Sequence, residues 1–216
     1  MSSDDWFRRT TWTDDDRSDF NRRLKRAREY NRPQYLRVQA VHLAEAGNHV
    51  AALELLEKFL DMEDTGIDLA QAQLQRAQSL VATGNEVDAI NAFRASLDAE
   101  RKRTNIQTEA WLLFPWYIVE TERFELYPEA MKVLSDFSIV RSLTFPVSDY
   151  RYQCVKAILL QQYGDHTLAR VHAENAIVAS NAKHSGFRYH ATLGLVRDTN
   201  NSVHERVCQI AAKSIG

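Results

Sequence analysis

Residues 46–61 read AGNHVAALELLEKFLD, and residues 83–98 read TGNEVDAINAFRASLD. In both, a Gly-Asn pair is followed by an alanine five residues after the glycine, and the phrase closes on Leu-Asp. Gly164 has the same surroundings, with Asp165 next and Ala169 five residues on. Each of these glycines separates two apolar patterns of helical spacing. Leu36, Ala40 and Leu43 precede Gly47, and Ala52, Leu55, Leu56, Phe59 and Leu60 follow it. Around Gly84 the residues are Ala77 and Leu80, then Ala89, Phe93 and Leu97; around Gly164 they are Ala157 and Leu160, then Ala169, Ala173, Ala176 and Ile177. Steps of three and four place such residues on one face of a helix. Glycine supplies the positive φ that ends one helix and lets the chain double back. The alanines let the two antiparallel helices approach closely. A chain written this way predicts a succession of helical hairpins.

The rest of the composition agrees. Seven glycines and four prolines in 216 residues are few for a chain rich in β-turns, and no segment alternates with period two. The expected class is all-α. A content of 44% hydrophobic and 26% charged residues suits a folded chain rather than a disordered one. The formal charge of -2 gives no electrostatic argument for a nucleic-acid or membrane partner. No apolar run reaches the roughly 18 to 20 residues needed to span a bilayer, and the N-terminal MSSDDWFRRTTWTDDD lacks the apolar stretch of a secretory signal. The two cysteines, Cys154 and Cys208, are too few for a disulfide framework and suit a reducing compartment. The expected location is cytoplasmic.

A small residue, a large one three later, a glycine four further, an alanine five beyond and an aromatic or leucine four after that together resemble the tetratricopeptide repeat. The units built on Gly47, Gly84 and Gly164 carry the resemblance. Two weaker units fit the same offsets: Ile118, Thr121, Glu125, Ala130 and Leu134, with Glu125 in the glycine position, and Ala191, Gly194, Asp198, Val203, Val207 and Ile210. The resemblance covers about residues 33–212 and implies a tetratricopeptide-like, right-handed α-solenoid of about five helix pairs forming a single repeat domain. Unit spacings of 37, 41, 39 and 34 residues, and the missing proline at the end of each unit, imply longer connections than the family's usual ones. The competing reading is a non-repetitive helical bundle.

Residues 1–32 form an N-terminal arm and capping helix in this reading. A helix is expected over residues 14–29, with Thr13 as N-cap, Asp16 three later, three aspartates in the first turn and Arg26 and Arg28 in the last. Phe20, Leu24 and Ala27 would cover the open side of the first pair. RRLKRAR, residues 22–28, reads as a solvated face with Asp19–Arg23 pairing rather than a nucleic-acid patch, since seven acidic residues lie in the first 32. Trp6, Phe7 and Trp12 are expected to dock back onto the array, or onto another protein or a second copy, which would make a homo-oligomer. Around Pro115, the aromatics Trp111, Phe114, Trp116, Tyr117, Phe124 and Tyr127 suit a bulky core, or in part a groove wall.

In the family the first helix of each pair lines a concave groove. Its offsets, carried over, give Gln34, Arg37 and Val41; Gln71, Leu74 and Gln78; Leu112, Pro115 and Val119; Arg151, Cys154 and Ile158; and Ser185, Arg188 and Thr192. The resemblance thus implies partner-binding roles for Gln34, Arg37, Gln71, Gln78, Arg151 and Arg188. Arg37 matches a basic position of the family's carboxylate clamp, but Val41 stands where the clamp has Asn, and Leu74 and Gln75 offer no second one. No Gly-rich phosphate loop, G-x-S-x-G elbow or H-E-x-x-H occurs, and the seven histidines neither pair at i, i+4 nor join a cysteine at zinc-ligand spacing. The expectation is a non-catalytic module without metal or cofactor that binds a protein or peptide. Alternatives are an intracellular inhibitor or immunity-type protein blocking one enzyme, and a structural protein self-associating through the aromatic arm and the final helix ending at Gly216.

Overall fold

A helix that ends at Gly47, Gly84 or Gly164 ends with the same two hydrogen bonds. These and all further details come from a computed structural model that describes residues 5–62, 65–138 and 143–212. The described residues are all-α: α1 (Asp14–Arg26), α2 (Arg32–Glu45), α3 (His49–Leu60), α4 (Leu69–Ala82), α5 (Glu86–Lys102), α6 (Ala110–Glu120), α7 (Tyr127–Ser138), α8 (Pro146–Gln162), α9 (His166–Ser180) and α10 (Ser202–Ala212), with no strand among them. The chain divides into two compact units, Met1–Ala110 and Trp111–Gly216.

At each of the three reversals the glycine has positive φ: 83° at Gly47, 76° at Gly84 and 84° at Gly164. Its N–H donates to the carbonyl three residues back, and the next N–H to the carbonyl five back (Asn48 to Leu43, 2.8 Å; Asn85 to Leu80, 2.9 Å; Asp165 to Leu160, 3.0 Å). This double closure satisfies carbonyls that a helix end otherwise leaves open. The Asn or Asp then caps the next helix: the side chains of Asn48, Asn85 and Asp165 accept from the N–H groups of Ala51, Asp88 and Leu168. One dipeptide therefore stops a helix and starts the next. Ala40 and Ala52, Ala77 and Ala89, and Ala157 and Ala169 are all buried, where α2 packs on α3, α4 on α5 and α8 on α9.

The third reversal departs from the expected register. Its positive φ falls at Glu122 (54°), not at Glu125, and it is the one non-glycine among the described residues with that conformation. The hydrogen bonds are those of the other turns: Glu122 N–H to Val119 and Arg123 N–H to Ile118. What is missing is the cap. Arg123 makes no side-chain cap bond, and a 3-10 turn over Phe124–Leu126 intervenes before α7. The reversal thus comes three residues early, while Ile118, Ala130 and Leu134 remain buried as expected.

The fifth pair is half formed. α10 is present with Val203, Val207 and Ile210 buried against α8 and α9, but residues 181–201 contain no helix. Gly186 and Gly194 take positive φ (88° and 68°), and Ser185 closes the intervening segment on itself by donating its N–H to Ala191 and its hydroxyl to His190. These bonds replace the helical ladder. The described residues therefore hold three packed helix pairs, α2 with α3, α4 with α5 and α8 with α9, while α6 and α7 are joined through the turn at Glu122. Arg206 of α10 donates to the carbonyl of Val119 (2.8 Å) and to the Tyr127 hydroxyl (3.0 Å), and lies 3.4 Å from the Glu122 carboxylate.

The N-terminal arm docks within its own unit. Trp6 and Trp12 lie against Phe20 with ring centroids 5.3 and 5.4 Å apart, and Phe7 lies 4.6 Å from Tyr35. The residues suggested for contacts between copies thus pack inside the unit; Gly216, at the other suggested contact, lies outside the described residues. The capping box of Thr13 and Asp16 forms as expected. The N–H of Thr13, with help from the Thr11 and Thr13 hydroxyls and Arg9, holds the Asp16 carboxyl at about 2. α1 stops at Arg26 rather than 29, because Arg32 donates to the carbonyls of Ala27 and Lys25 and the chain turns there. Arg9 pairs with Asp16 and Asp19, and Arg22 and Arg23, the first two residues of the basic run, pair with Asp19. Buried Gln39 fixes the arm: its Oε1 accepts from the Arg9 N–H (3.0 Å) and its Nε2 donates to the Arg9 carbonyl (2.7 Å).

Two outcomes follow from these contacts. No atom crowds a Cβ at Gly84, so Gly84→Ala incurs only the left-handed backbone penalty, about 1 kcal/mol, and thermal melting should shift down by a few degrees. Gln39→Leu keeps the side chain's bulk but strands the Arg9 backbone groups at a cost of about 2 kcal/mol or more. Limited proteolysis should then cut N-terminal to α1 first, with a red shift of the tryptophan emission.

Candidate functional site

The expected partner-binding residues of the first unit do not share one fate. Arg37 is half-buried and pairs with Asp68 (Nε to Oδ1, 2.7 Å), bracing α2 against the 3-10 turn Gly66–Asp68 that leads into α4. Gln34 is exposed and lines a hollow of about 580 Å³ with Tyr30, Arg32, Met62, Ile67 and Asp68. A second hollow of about 250 Å³ shares Thr65, Gly66 and Ile67 with it and extends to Lys102, Arg103 and Ile106. Arg103 donates to the Gly66 carbonyl and so steadies the shared wall. Tyr30 is 71% and Ile67 64% exposed, a marked apolar exposure beside polar walls. Gln71 is half-buried and Gln78 exposed further along α4, neither lining the hollows, and Leu74 between them is buried. Sequence offsets missed Tyr30 and Ile67, which lie in the connections before α2 and α4; an aromatic and an isoleucine in polar loops were the available signal.

In the second unit most of the carried-over positions lie in the core. Leu112, Pro115, Val119, Cys154 and Ile158 are all buried. For α6 the reason is the early reversal: counting back from Glu122 instead of Glu125 brings Trp116 to the position given to Val119. Trp116 is half-buried, 5.9 Å from the Tyr150 ring, and the Arg151 guanidinium lies 6.0 Å over its ring. Trp111, by contrast, is buried. Arg151, an expected partner-binding residue, is thus brought together with Trp116, which the carried-over offsets passed over. Arg188 is exposed over the Tyr189 ring (5.3 Å) in the non-helical segment, where Ser185 is buried and Thr192 exposed.

The seam between α8 and α10 holds the unit's titratable cluster. The Tyr150 hydroxyl lies 3.1 Å from His204 Nδ1. Burial raises the Tyr150 hydroxyl above its ordinary range and pushes the Cys154 thiol up to about 12. At neutral pH both stay protonated, which makes Cys154 a poor nucleophile. His172 is lowered by burial and by Lys156, and bonds to the Gln153 amide oxygen at 2.6 Å. Among the described residues no group of three or more His, Cys, Asp or Glu is placed to hold a metal ion, and no helix is long and apolar enough to cross a membrane. No family model, curated protein or solved structure matches this chain.

The thiols give a direct check of this seam. Cys208 is only partly covered and Cys154 is fully buried, so iodoacetamide at pH 8 should label Cys208 first. Cys154 should react only under denaturant, as read by peptide mass spectrometry.

Proposed function

We propose that the chain is a non-catalytic protein-interaction module of tetratricopeptide-like, right-handed α-solenoid form, working in the cytoplasm. The observation that carries the reading is the reuse of one closed reversal at Gly47, Gly84 and Gly164, with α3 packed on α4 and α2 beside α4. Hairpins stacked this way bury their alanine and leucine faces in one another. They leave polar side chains on the first helices, here with Gln34 and Gln78 exposed and Gln71 half-covered. Amide side chains both donate and accept, and suit the backbone of a bound peptide. The hollow beside Gln34 adds apolar contact through Ile67 and Tyr30. Two free thiols fit a reducing compartment.

The reading predicts which helix face matters. Proteins co-purifying with the full chain should be lost at least ~10-fold, about 1.4 kcal/mol, on Gln34→Lys combined with Ile67→Asp. Val87→Lys, on the exposed face of α5, should retain them. Equal retention by both, or equal loss, would sink the first-helix assignment.

A further inference from the structure

The segment from Ala182 to Asn201 carries the least explained surface of the molecule. It contains no helix, yet it is not loosely held. Ser185 is buried and bonds to both ends of a short loop: its N–H donates to Ala191 (2.7 Å), its hydroxyl donates to His190 (2.6 Å), and it accepts from Phe187 N–H (3.2 Å). Further along, Val147 N–H donates to Gly194 (2.8 Å), and Phe145 packs so tightly there that a Cβ at Gly194 would meet its ring at 2.5 Å. Phe145 and Phe187 lie 5.3 Å apart. The loop is thus pinned at its base and middle.

What it presents is unusual for a pinned loop. Tyr189 is 81% exposed, Leu193 50% and Phe187 39%. Lys183, Arg188 and Arg197 are exposed, and none of them has an acidic partner within ion-pair distance among the described residues. In the N-terminal run Arg22 and Arg23 are matched to Asp19, whereas Lys25 and Arg26 are exposed without an ion-pair partner among the described residues, so the loop is set apart by having its cations beside exposed aromatic and apolar side chains. Arg188 stands over the Tyr189 ring at 5.3 Å. Folding gains little from Lys183, Arg188, Tyr189 and Arg197, whose side chains lie in solvent. Tyrosine and arginine are also the types that dominate binding energy at protein interfaces, and a loop ordered beforehand avoids much of the entropy cost of binding.

We infer that this loop is a docking site for an acidic peptide segment of another protein, with Arg188 and Tyr189 as its anchors. The carboxylates would pair with Lys183, Arg188 and Arg197, and apolar side chains beside them would cover Tyr189, Leu193 and Phe187. Charge selects this occupant. Three unpaired cations sit in a chain whose formal charge is -2, enough to match a few carboxylates but not to follow a phosphate backbone, which needs a broad basic face. The inference rests on the chain being a protein-interaction module, but it concerns a loop of the second unit and not the first-helix face of the first.

Random peptides of about a dozen residues, displayed on phage, can be selected on the full chain to test this. Selected peptides should be enriched in Asp and Glu beside Leu, Phe or Ile, and should weaken as salt rises. Arg188→Glu and Tyr189→Ala should each reduce their affinity at least ~10-fold without lowering the melting temperature, because both side chains are exposed; Gln34→Lys should leave it unchanged. Failure to enrich acidic peptides, or equal binding to the Arg188→Glu chain, overturns the inference. Loss on Gln34→Lys alone overturns it while sustaining the first-helix reading. Retention of oligodeoxythymidine that depends on Arg188 would instead assign the loop to nucleic acid. Concentration-dependent sedimentation abolished by Arg188→Glu would assign it to a second copy.

Discussion

Close packing of paired helices, with alanines buried on their faces, is the constraint on which the rest of this architecture depends. Ala40 with Ala52, Ala77 with Ala89, and Ala157 with Ala169 are buried where the helices meet. Such contact demands a reversal short enough to keep the helices together, and a short reversal exposes helix-end carbonyls and N–H groups at one place. A Gly-Asn or Gly-Asp pair answers both demands. The glycine takes the left-handed conformation that closes two carbonyls, and the residue after it caps the next helix. The leucines and phenylalanine that follow, such as Leu56 and Phe59, are then buried in a core shared with Phe20 and Leu36.

Where the doublet is absent, the second unit compensates. Glu122 adopts the left-handed conformation without being glycine, at a cost of about 1 kcal/mol. Arg206, from the helix that survives of the last hairpin, bonds the Val119 carbonyl beside this turn and sits 3.4 Å from the Glu122 carboxylate. One arginine thus contributes a donor to the C-terminal end of α6 and a counter-charge to the strained residue. A glycine at 122 would relax the backbone and lose the carboxylate, so the two effects oppose each other.

The sequence was legible where local chemistry decides the structure and illegible where tertiary contacts do. The all-α class, the three Gly-Asx hairpins, the capping box at Thr13 and the inward docking of Trp6 and Trp12 could each be read from residue type and spacing. The third reversal could not, because the glycine that would have marked it is missing and spacing alone pointed to Glu125. That three-residue error rotated α6 in the reading, exchanging buried Val119 for half-exposed Trp116. The fifth pair failed for a different reason. Ala191, Gly194 and Asp198 match the offsets, but the bonds of Ser185 to His190 and Ala191 make a closed loop that competes with helix. Arg37 was named by its offset alone, and its pairing with Asp68, distant in sequence, could not be read from spacing.

The two departures from the repeat are also where side chains are left unmatched or strained, and this bears on function. Repetition fixes scaffold: the doublet hairpins place residues such as Leu56, Phe59, Phe93 and Leu97 in the core. Residues 182–201 do the reverse. A loop that binds its own backbone so fully, yet leaves Arg188 and Tyr189 in solvent, has its conformation determined without them. Their placement follows from the pinned backbone, not from their own contacts. That separation of support from presentation is what a binding loop requires, because the presented side chains can be matched to a partner without altering the fold that holds them.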